Sequence, residues 1–183
     1  YVSVRVRSSI AQNNQKNHAS ALVSKGNSAL GTQFRIGGLV RDAVGNNDLT
    51  FASFMATEDN TNVNIQIQGI NSFSVTLNKH ESYIVNSSGA NANSIIGGLI
   101  SSDKQIVVNS GSAIGSFGDR TGNADYGFDQ IVDASKIGTE YILVKGDGSG
   151  NEGTVVEKVL LIAHEDNTEF SINGNPIGTL NVG

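Results

Sequence analysis

The phrase Ala-Thr-Glu-Asp-Asn-Thr at residues 56–61 returns as Ala-His-Glu-Asp-Asn-Thr at residues 163–168, 107 positions further along the chain. The same offset joins Gly-Thr-Gln-Phe at 31–34 to Gly-Thr-Glu-Tyr at 138–141. A catalytic constellation is rarely written twice, whereas a structural unit that stacks on copies of itself must be repeated. The duplication therefore predicts two β repeat units, residues 1–82 and residues 83–183, which share one packed domain.

The composition is typical of short strands joined by tight turns. The 183 residues include 22 glycines and a single proline, and Val, Ile, Thr and Phe supply the apolar positions. The length suits one domain with a sizeable core or two small ones. The absence of cysteine excludes a disulfide framework and any cysteine-based metal or redox site.

The net charge of −5 is unevenly distributed, because six basic residues precede the first acidic residue, Asp42. A nucleic-acid groove would need such bases interleaved with aromatic side chains, and only Tyr1 and Phe34 lie in this region. Arg5 and Arg7 share one face of a strand, so we interpret them as a solvated strand face. No apolar run is long enough to span a bilayer.

Hydrophobic periodicity predicts an all-β chain without an amphipathic helix. Leu49–Thr57 is apolar on both faces and is predicted to be a central strand, whereas Val63, Ile65 and Ile67 alternate with polar residues and predict a strand with one wet face. Further strands are predicted at Tyr1–Val6, Ala21–Ser24, Gly31–Ile36, Ser72–Leu77, Ser82–Val85, Ile95–Ile100, Gln105–Asn109, Tyr141–Lys145, Val155–Ala163, Glu169–Ile172 and Gly178–Val182.

The expected architecture is a set of antiparallel sheets, formed from the duplicated unit, with sandwich-type packing. Propeller-like blades are the alternative, since two units are too few to close a propeller but a parent chain with more units would favour one. The chain begins without methionine and ends inside a repeated phrase, so we expect it to be a piece of a longer protein.

The repeated phrase predicts a structural turn. Asp and Asn tolerate left-handed backbone angles and bond their own main chain, so Asp59-Asn60 and Asp166-Asn167 are predicted at the tips of two-residue hairpin turns. The phrase Thr-Leu-Asn at 179–181 follows its copy at 76–78 by only 103 positions, which predicts a shorter hairpin loop in the second unit. The complete motif comprises Glu58, Asp59, Asn60, Thr61, Glu165, Asp166, Asn167 and Thr168.

One glycine-rich loop is a candidate metal site. Residues 146–153 place oxygen side chains at alternate positions, and calcium prefers several oxygen ligands on a flexible loop. The full EF-hand pattern is missing, so a plain hairpin loop is the alternative interpretation. The candidate calcium ligands are Asp147, Ser149 and Asn151; a second acidic loop carries Asp119, Asn123, Asp125 and Asp129.

Signatures of an enzyme are poor, and the sequence predicts no catalytic residue and no cofactor other than the candidate calcium. His18, His80 and His164 are scattered without a metal-ligand spacing, and neither a nucleophile elbow nor a phosphate loop is present. His164 lies beside Glu165, but neighbours in a strand point to opposite faces, so we interpret it as a structural position.

Several phrases in fixed order carry a resemblance to a known family. They read Ser-Asp-Lys-Gln-Ile-Val-Val-Asn-Ser-Gly-Ser (102–112), Gly-Phe-Asp-Gln-Ile-Val (127–132) and Gly-Thr-Glu-Tyr-Ile-Leu-Val (138–144), followed by the phrases at 163–168 and 179–181. This order resembles the repeat unit of the IgG Fc-binding protein N-terminal domain family. The version here is similar to repeats of SprB-like gliding-motility adhesins of Bacteroidota, which the type 9 secretion system exports.

The resemblance implies a β-rich extracellular module at the cell surface that serves adhesion or gliding motility. Its expected partners are neighbouring repeats of the same chain and a surface polysaccharide or protein ligand, without nucleic acid or membrane insertion. Immunoglobulin binding is not carried over, because the mucus proteins that name the family carry cysteine-rich modules and this chain has no cysteine. The alternatives are a carbohydrate- or protein-binding module of a secreted protein, and a hydrolase, which would need paired carboxylates in one cleft.

Overall fold

The computed structural model describes residues 5–12, 15–40, 48–115, 125–144 and 159–183, with the backbone alone for residues 5–12, 15–19, 114, 115 and 125. Within these ranges the chain forms eleven β-strands and three short 3-10 helices, and no α-helix. The strands are β1 (Arg5–Gln12), β2 (Gln15–Val23), β3 (Gly31–Arg35), β4 (Leu49–Ala56), β5 (Thr61–Gln66), β6 (Phe73–Leu77), β7 (Ser82–Ser88), β8 (Leu99–Gly115), β9 (Asp125–Ile131), β10 (Thr168–Ile172) and β11 (Asn175–Leu180). The 3-10 helices span Gly26–Ala29, Gly89–Asn91 and Ala134–Lys136.

Strand β8 organises the largest sheet, which has seven strands. Its 17 residues pair antiparallel with four other strands. The first half of β8 lies between β3 and β5, and the second half lies between β9 and β4. Because β3 and β4 both reach Ile106, they lie on opposite edges of β8, so β4 and β5 follow one edge in succession.

The core occupies one face of this sheet. Burial alternates strictly along β4, where Thr50, Ala52, Phe54 and Ala56 point inward. The residues paired opposite them on β8 are buried too, since directly opposed residues share a sheet face. The inward side chains of the neighbouring strands complete one hydrophobic cluster, which includes Phe34, Val63, Ile65, Leu77, Val85, Ile100, Ile106 and Val108.

Two predictions about local structure are confirmed. Strand β4 is central, since β7 pairs along one edge and β8 along the other. Strand β5 has one wet face, because Val63 and Ile65 are buried whereas Asn62 and Gln66 are exposed. All-β architecture with antiparallel sheets is therefore the observed class.

Two further hairpins stand apart from the seven-stranded sheet: β1 pairs with β2, and β10 pairs with β11. The β10–β11 turn consists of Asn173 and Gly174, both with positive φ (51° and 78°), as an Asn-Gly hairpin turn requires. The corresponding connection between β5 and β6 spans residues 67–72. The predicted shorter hairpin loop in the second unit is thus confirmed.

The prediction that the Glu-Asp-Asn-Thr turn closes a hairpin is wrong. Strands β4 and β5 do not pair with each other; both run antiparallel to β8 along the same edge. The turn at residues 57–60 therefore interrupts one continuous path without reversing it. A matching interruption at 78–81 separates β6 from β7, which pair with β5 and β4 respectively.

Several predicted strands of the second unit are also corrected. Residues 141–144 and 159–162 form no strand and are largely exposed, although both segments are apolar. Residues 155–158, which complete the predicted strand Val155–Ala163, lie outside the described residues. Within the described part of that strand, Ala163 alone makes a bridge, to Val182. Residues 95–97 form a turn before β8 begins at Leu99, and β8 continues through the predicted strand Gln105–Asn109.

Truncating a buried β4 side chain should destabilise the protein far more than truncating its counterpart in the second unit. Phe54 is fully buried beside Tyr83, whereas Leu161, 107 positions later, is half exposed. We expect Phe54→Ala to lower the free energy of unfolding by about 3–5 kcal/mol, through lost burial and a residual cavity. Leu161→Ala should cost about 0.5 kcal/mol or less. Equal losses for the two variants in urea titrations would contradict this core assignment.

Candidate functional site

The first Glu-Asp-Asn-Thr turn is fixed by its own side chains. Asn60 adopts a left-handed conformation with φ of 52°, which Asn tolerates better than most residues. The Thr61 hydroxyl donates to the carbonyl oxygen of Glu58 at 2.8 Å and closes the turn. The positive φ explains the asparagine at position 60, and the hydrogen bond to Glu58 explains the threonine at position 61.

The same turn is bound to the connection that follows β6. The Lys79 N–H donates to Asp59 Oδ1 at 2.9 Å, and the Asn60 N–H donates to Asn78 Oδ1 at 3.4 Å. The phrase Thr-Leu-Asn at 76–78 is therefore the binding partner of the turn. The repetition of both phrases is visible in the sequence, but their contact with each other is visible only in the structure.

The second turn reproduces this arrangement. Asn167 has φ of 57°, and the Thr168 hydroxyl donates to the Glu165 carbonyl oxygen at 2.8 Å. The Val182 N–H donates to Asp166 Oδ1 at 3.0 Å, and the Asn167 N–H donates to Asn181 Oδ1 at 3.3 Å. The duplication in sequence is thus a duplication of hydrogen bonds and of one backbone conformation.

The chemistry available at the turns is structural. Asp59 and Asp166 each accept a main-chain N–H, and Lys104 Nζ donates to the Asp59 carbonyl oxygen at 2.5 Å. Within the described ranges, no group of three or more His, Asp or Glu residues is arranged to hold a metal ion. The Asp59 and Asp166 side chains therefore stabilise the loops that they contact.

The metal candidates Asp147, Ser149 and Asn151 lie outside the described residues, so calcium binding there stays a prediction. Of the second acidic loop, Asp119 and Asn123 also lie outside, and Asp125 is described by its backbone alone. Asp129 is described and forms an ion pair with Lys25, at 2.8 Å.

Arg35 joins the two predicted units at the second turn. Its guanidinium donates to the His164 carbonyl oxygen at 3.1 Å, to His164 Nδ1 at 3.3 Å and to the Gly97 carbonyl oxygen at 3.0 Å. Burial lowers the pKa of Arg35, but a guanidinium remains protonated at any ordinary pH. His164 thus accepts hydrogen bonds from Arg35, whereas Thr57 at the equivalent position donates to the Gln105 carbonyl oxygen at 2.6 Å.

Asp133 is the second link between the predicted units, and sequence reasoning missed it. Its carboxylate accepts from the Thr32 N–H at 2.5 Å and from the Gln33 N–H at 2.8 Å, so it orders the start of β3. It also accepts from the Ser135 N–H and hydroxyl, as the cap of the helix at Ala134–Lys136. Gly31 is required beside it, because a Cβ there would overlap the Asp133 side chain.

The environment of Asp133 changes its acidity. Burial alone would raise its pKa, but the hydrogen bonds from the Ser135 hydroxyl and from the N–H groups of Gln33, Ser135 and Thr32 outweigh burial and lower the pKa to about 2. One local signal was available in the sequence: Asp followed two positions later by Ser is typical of a helix cap.

Lysines complete this junction, which we call the clasp and define as residues 129–136 together with residues 24–33. Lys136 Nζ donates to the carbonyl oxygens of Ser28, at 3.0 Å, and Leu30, at 2.5 Å. From the other side, Lys25 pairs with Asp129 and donates to the Gln130 carbonyl oxygen. The clasp therefore binds the end of β9 to the segment that leads into β3.

Two groups of exposed apolar side chains are candidate contact surfaces. The outer-edge patch consists of Phe73 on β6 with Tyr83 on β7, the strands furthest from β8 in the sheet. The Phe73 and Tyr83 rings lie 6.4 Å apart, centroid to centroid, and are 36% and 37% exposed. Aromatic residues at the edge of a sheet are typical of protein contact sites.

The second group, the second-copy set, comprises the apolar side chains at Tyr141, Ile142, Leu143, Val144, Val159, Leu161 and Ile172. Three of its members correspond, 107 positions earlier, to core residues of the first unit. Tyr141 is 66% exposed where Phe34 is 0%, Leu161 is 49% where Phe54 is 1%, and Ile172 is 55% where Ile65 is 1%. These three positions thus carry apolar side chains in both copies of the repeat, but the side chains are buried only in the first copy.

A comparison with protein-family models identifies the chain's relatives at family level. The model described as IgGFc binding protein matches residues 19–183, which is most of the chain. It represents a family of extracellular binding domains and not a family of enzymes. No curated protein and no solved structure matches the chain. Across the described residues, no helix is long and apolar enough to cross a membrane.

The left-handed conformation of Asn60 predicts a strong dependence on residue type. We expect Asn60→Val to lower the free energy of unfolding by about 1–2 kcal/mol, because a β-branched residue is strained at positive φ. Asn60→Gly removes the same side chain without that strain and should change stability by only a few tenths of a kcal/mol. Thermal unfolding measures both, and equal destabilisation by Val and Gly would show that the turn conformation is assigned incorrectly.

Asp133 predicts an acid-sensitive clasp. Because its pKa is lowered from 3.8 to about 2 on folding, its hydrogen bonds contribute full stability above pH 3.8 and lose that contribution as the pH falls towards 2. Asp133→Asn should be less stable than the parent at pH 6 and show a shallower loss between pH 4 and about pH 2. Urea midpoints across this range test it, with Glu165→Gln as a surface control. Parallel curves for parent and Asp133→Asn would contradict the prediction.

Proposed function

This chain belongs to the IgGFc binding protein family, and we propose that it is a non-enzymatic, adhesive β module of a large bacterial cell-surface protein that attaches by binding protein. The family supports the coarser part of this statement, an extracellular module that binds protein. Adhesion, and beyond it gliding motility on a surface protein exported by the type 9 secretion system, is the finer proposal.

The outer-edge patch is the observation that supports protein binding most directly. Phe73 and Tyr83 keep about a third of their surface exposed, although Tyr83 also contacts the buried ring of Phe54. A side chain that already packs against the core and still exposes one face to solvent loses little conformational entropy on binding. This is one reason why aromatic residues are enriched in protein interfaces. Within the described residues, β6 and β7 each pair along one edge, so their outer edges are free to accept contacts.

The disposition of the carboxylates supports a binding role over hydrolysis. Hydrolysis of a surface polymer would require two carboxylates facing one cleft. Three of the described carboxylates accept main-chain N–H groups instead: Asp59 and Asp166 at the turns, and Asp133 in the clasp. Each of these carboxylates therefore stabilises a connection between segments of the chain.

Binding to immobilised ligands tests this proposal. The chain is presented to a panel of surface-coated proteins, immunoglobulin Fc included, and to a glycan array. We expect saturable binding to at least one protein and at least a tenfold loss of affinity in Phe73→Ala, since a central aromatic anchor contributes at that level. Ile177→Ala is the matched control, because Ile177 is an exposed apolar residue on β11, outside the seven-stranded sheet.

Folding of each variant is verified by its melting temperature before binding is compared. Saturable binding to glycans alone would replace the proposal with a carbohydrate-binding module. Protein binding that Phe73→Ala leaves unchanged would show that the outer-edge patch is not the contact surface.

A further inference from the structure

We propose that the second-copy set is the docking surface for a following unit of the same repeat, which supplies a strand equivalent to β8 and a carboxylate equivalent to Asp133. The inference rests on the proposed function in one respect, since both treat the chain as a module of a repetitive surface protein. Because the second-copy set and the outer-edge patch are different surfaces, an experiment can contradict one of the two proposals without contradicting the other.

The first unit shows what covers this surface when it is complete. Ile65 of β5 lies opposite Ile100 of β8, and Phe54 of β4 lies opposite Val108. All four side chains are buried in one cluster. Strand β8 comes from the second unit of the chain, so the core of the first unit is completed by a strand that follows it in sequence.

The second unit repeats the hairpin that flanks that strand, without the strand itself. Strand β10 corresponds to β5 at an offset of 107 positions, and both begin at a turn with the same hydrogen bonds. Strand β5 pairs with β6 on one edge and with β8 on the other. Strand β10 pairs with β11 on one edge, and within the described residues no strand pairs with its other edge. A β8-like strand would therefore occupy the edge that is open in β10.

The glycine that begins the repeated Gly-Thr phrase, at positions 31 and 138, also favours a following unit as the partner of this surface. Gly31 leaves the space into which Asp133 enters to bind the N–H groups of Thr32 and Gln33. Gly138 keeps the glycine, but of the described residues only Glu140 main-chain atoms, at 3.7 and 3.9 Å, come near a Cβ built there. The space is thus retained without the carboxylate. A following unit that resembles residues 83–136 would supply it together with the strand.

The side chains indicate which partner chemistry fits. Ile100, Ile106 and Val108 present apolar groups to the first-unit core, whereas Asp103 and Lys104 between them make polar contacts at the turn. The second turn repeats part of what they bind: Asp166 stands where the Asp59 carbonyl oxygen accepts from Lys104, whereas Glu169 stands where Asn62 donates to Asp103, so only the main-chain N–H of that position is repeated. An extended segment with the β8 pattern therefore matches the second unit in its apolar positions and at the position of Lys104.

Hydrogen exchange on an extended chain tests the proposal. A second copy of residues 81–136 is appended after Gly183, since Val182 and Gly183 stand 103 positions after Lys79 and His80. We expect amide exchange at residues 141–144 and 168–172 to become at least tenfold slower than in the unextended chain. The control carries Ile100→Asp and Ile106→Asp in the appended copy only, and should show no such protection.

A second variant tests the receiving surface. Leu161→Asp in the extended chain should abolish the protection without unfolding the first unit, because Leu161 is half exposed and lies outside the core cluster. Protection given equally by the control extension, or the absence of any protection, would overturn the proposal. Slow exchange already present in the unextended monomer would show that the chain covers this surface itself. A concentration-dependent dimer of the unextended chain, abolished by Leu161→Asp, would assign the surface to a second molecule.

These outcomes distinguish a failure of the docking proposal from a failure of the proposed function. Ligand binding that depends on Phe73 would persist if the extension failed to protect residues 141–144. Conversely, protection by the extension would stand even if no protein on the panel bound the outer-edge patch.

Discussion

The pairing of β8 along both of its edges is the constraint on which the rest of the structure depends. Four strands take their register from it, and the buried side chains of β3, β4 and β5 meet its own inward residues. Because main-chain hydrogen bonds are obligatory for a buried strand, removing β8 would expose the main chain of its neighbours as well as the apolar core. The Glu-Asp-Asn-Thr turn is secondary to it, as the device that lets β4 and β5 share one edge.

Features with a local cause were predictable from the sequence. Alternation along Val63 and Ile65 depends only on the period of a strand, and the shorter loop at Asn173-Gly174 follows from counting residues between repeated phrases. The direction of the chain after Asp59-Asn60 was not predictable in this way. The turn residues specify backbone angles, whereas the long strand on one side decides whether the chain reverses.

Features with a distant cause were missed or misassigned. Asp133 acts on Thr32 and Gln33, about a hundred residues away, and no pattern within either segment shows the contact. The apolar run at residues 141–144 resembles a strand by composition, yet a strand exists only where a neighbour satisfies its main chain. The β-propensity of residues 141–144 reflects their apolar side chains, but it does not show whether a neighbouring strand pairs with them.

Strand β8 also determines when the molecule can fold. Phe34 of β3 lies opposite Ile100, and Leu49 of β4 lies opposite Ile114, so each pairing joins positions about 65 residues apart in the chain. Contacts of such high sequence separation form slowly, because a long loop must close before they contribute. A ribosome must therefore complete β8 before the first unit acquires its core. In a tandem array, the units would therefore fold in the order of synthesis, because each unit could complete its core only after the first strands of the next unit had been synthesised.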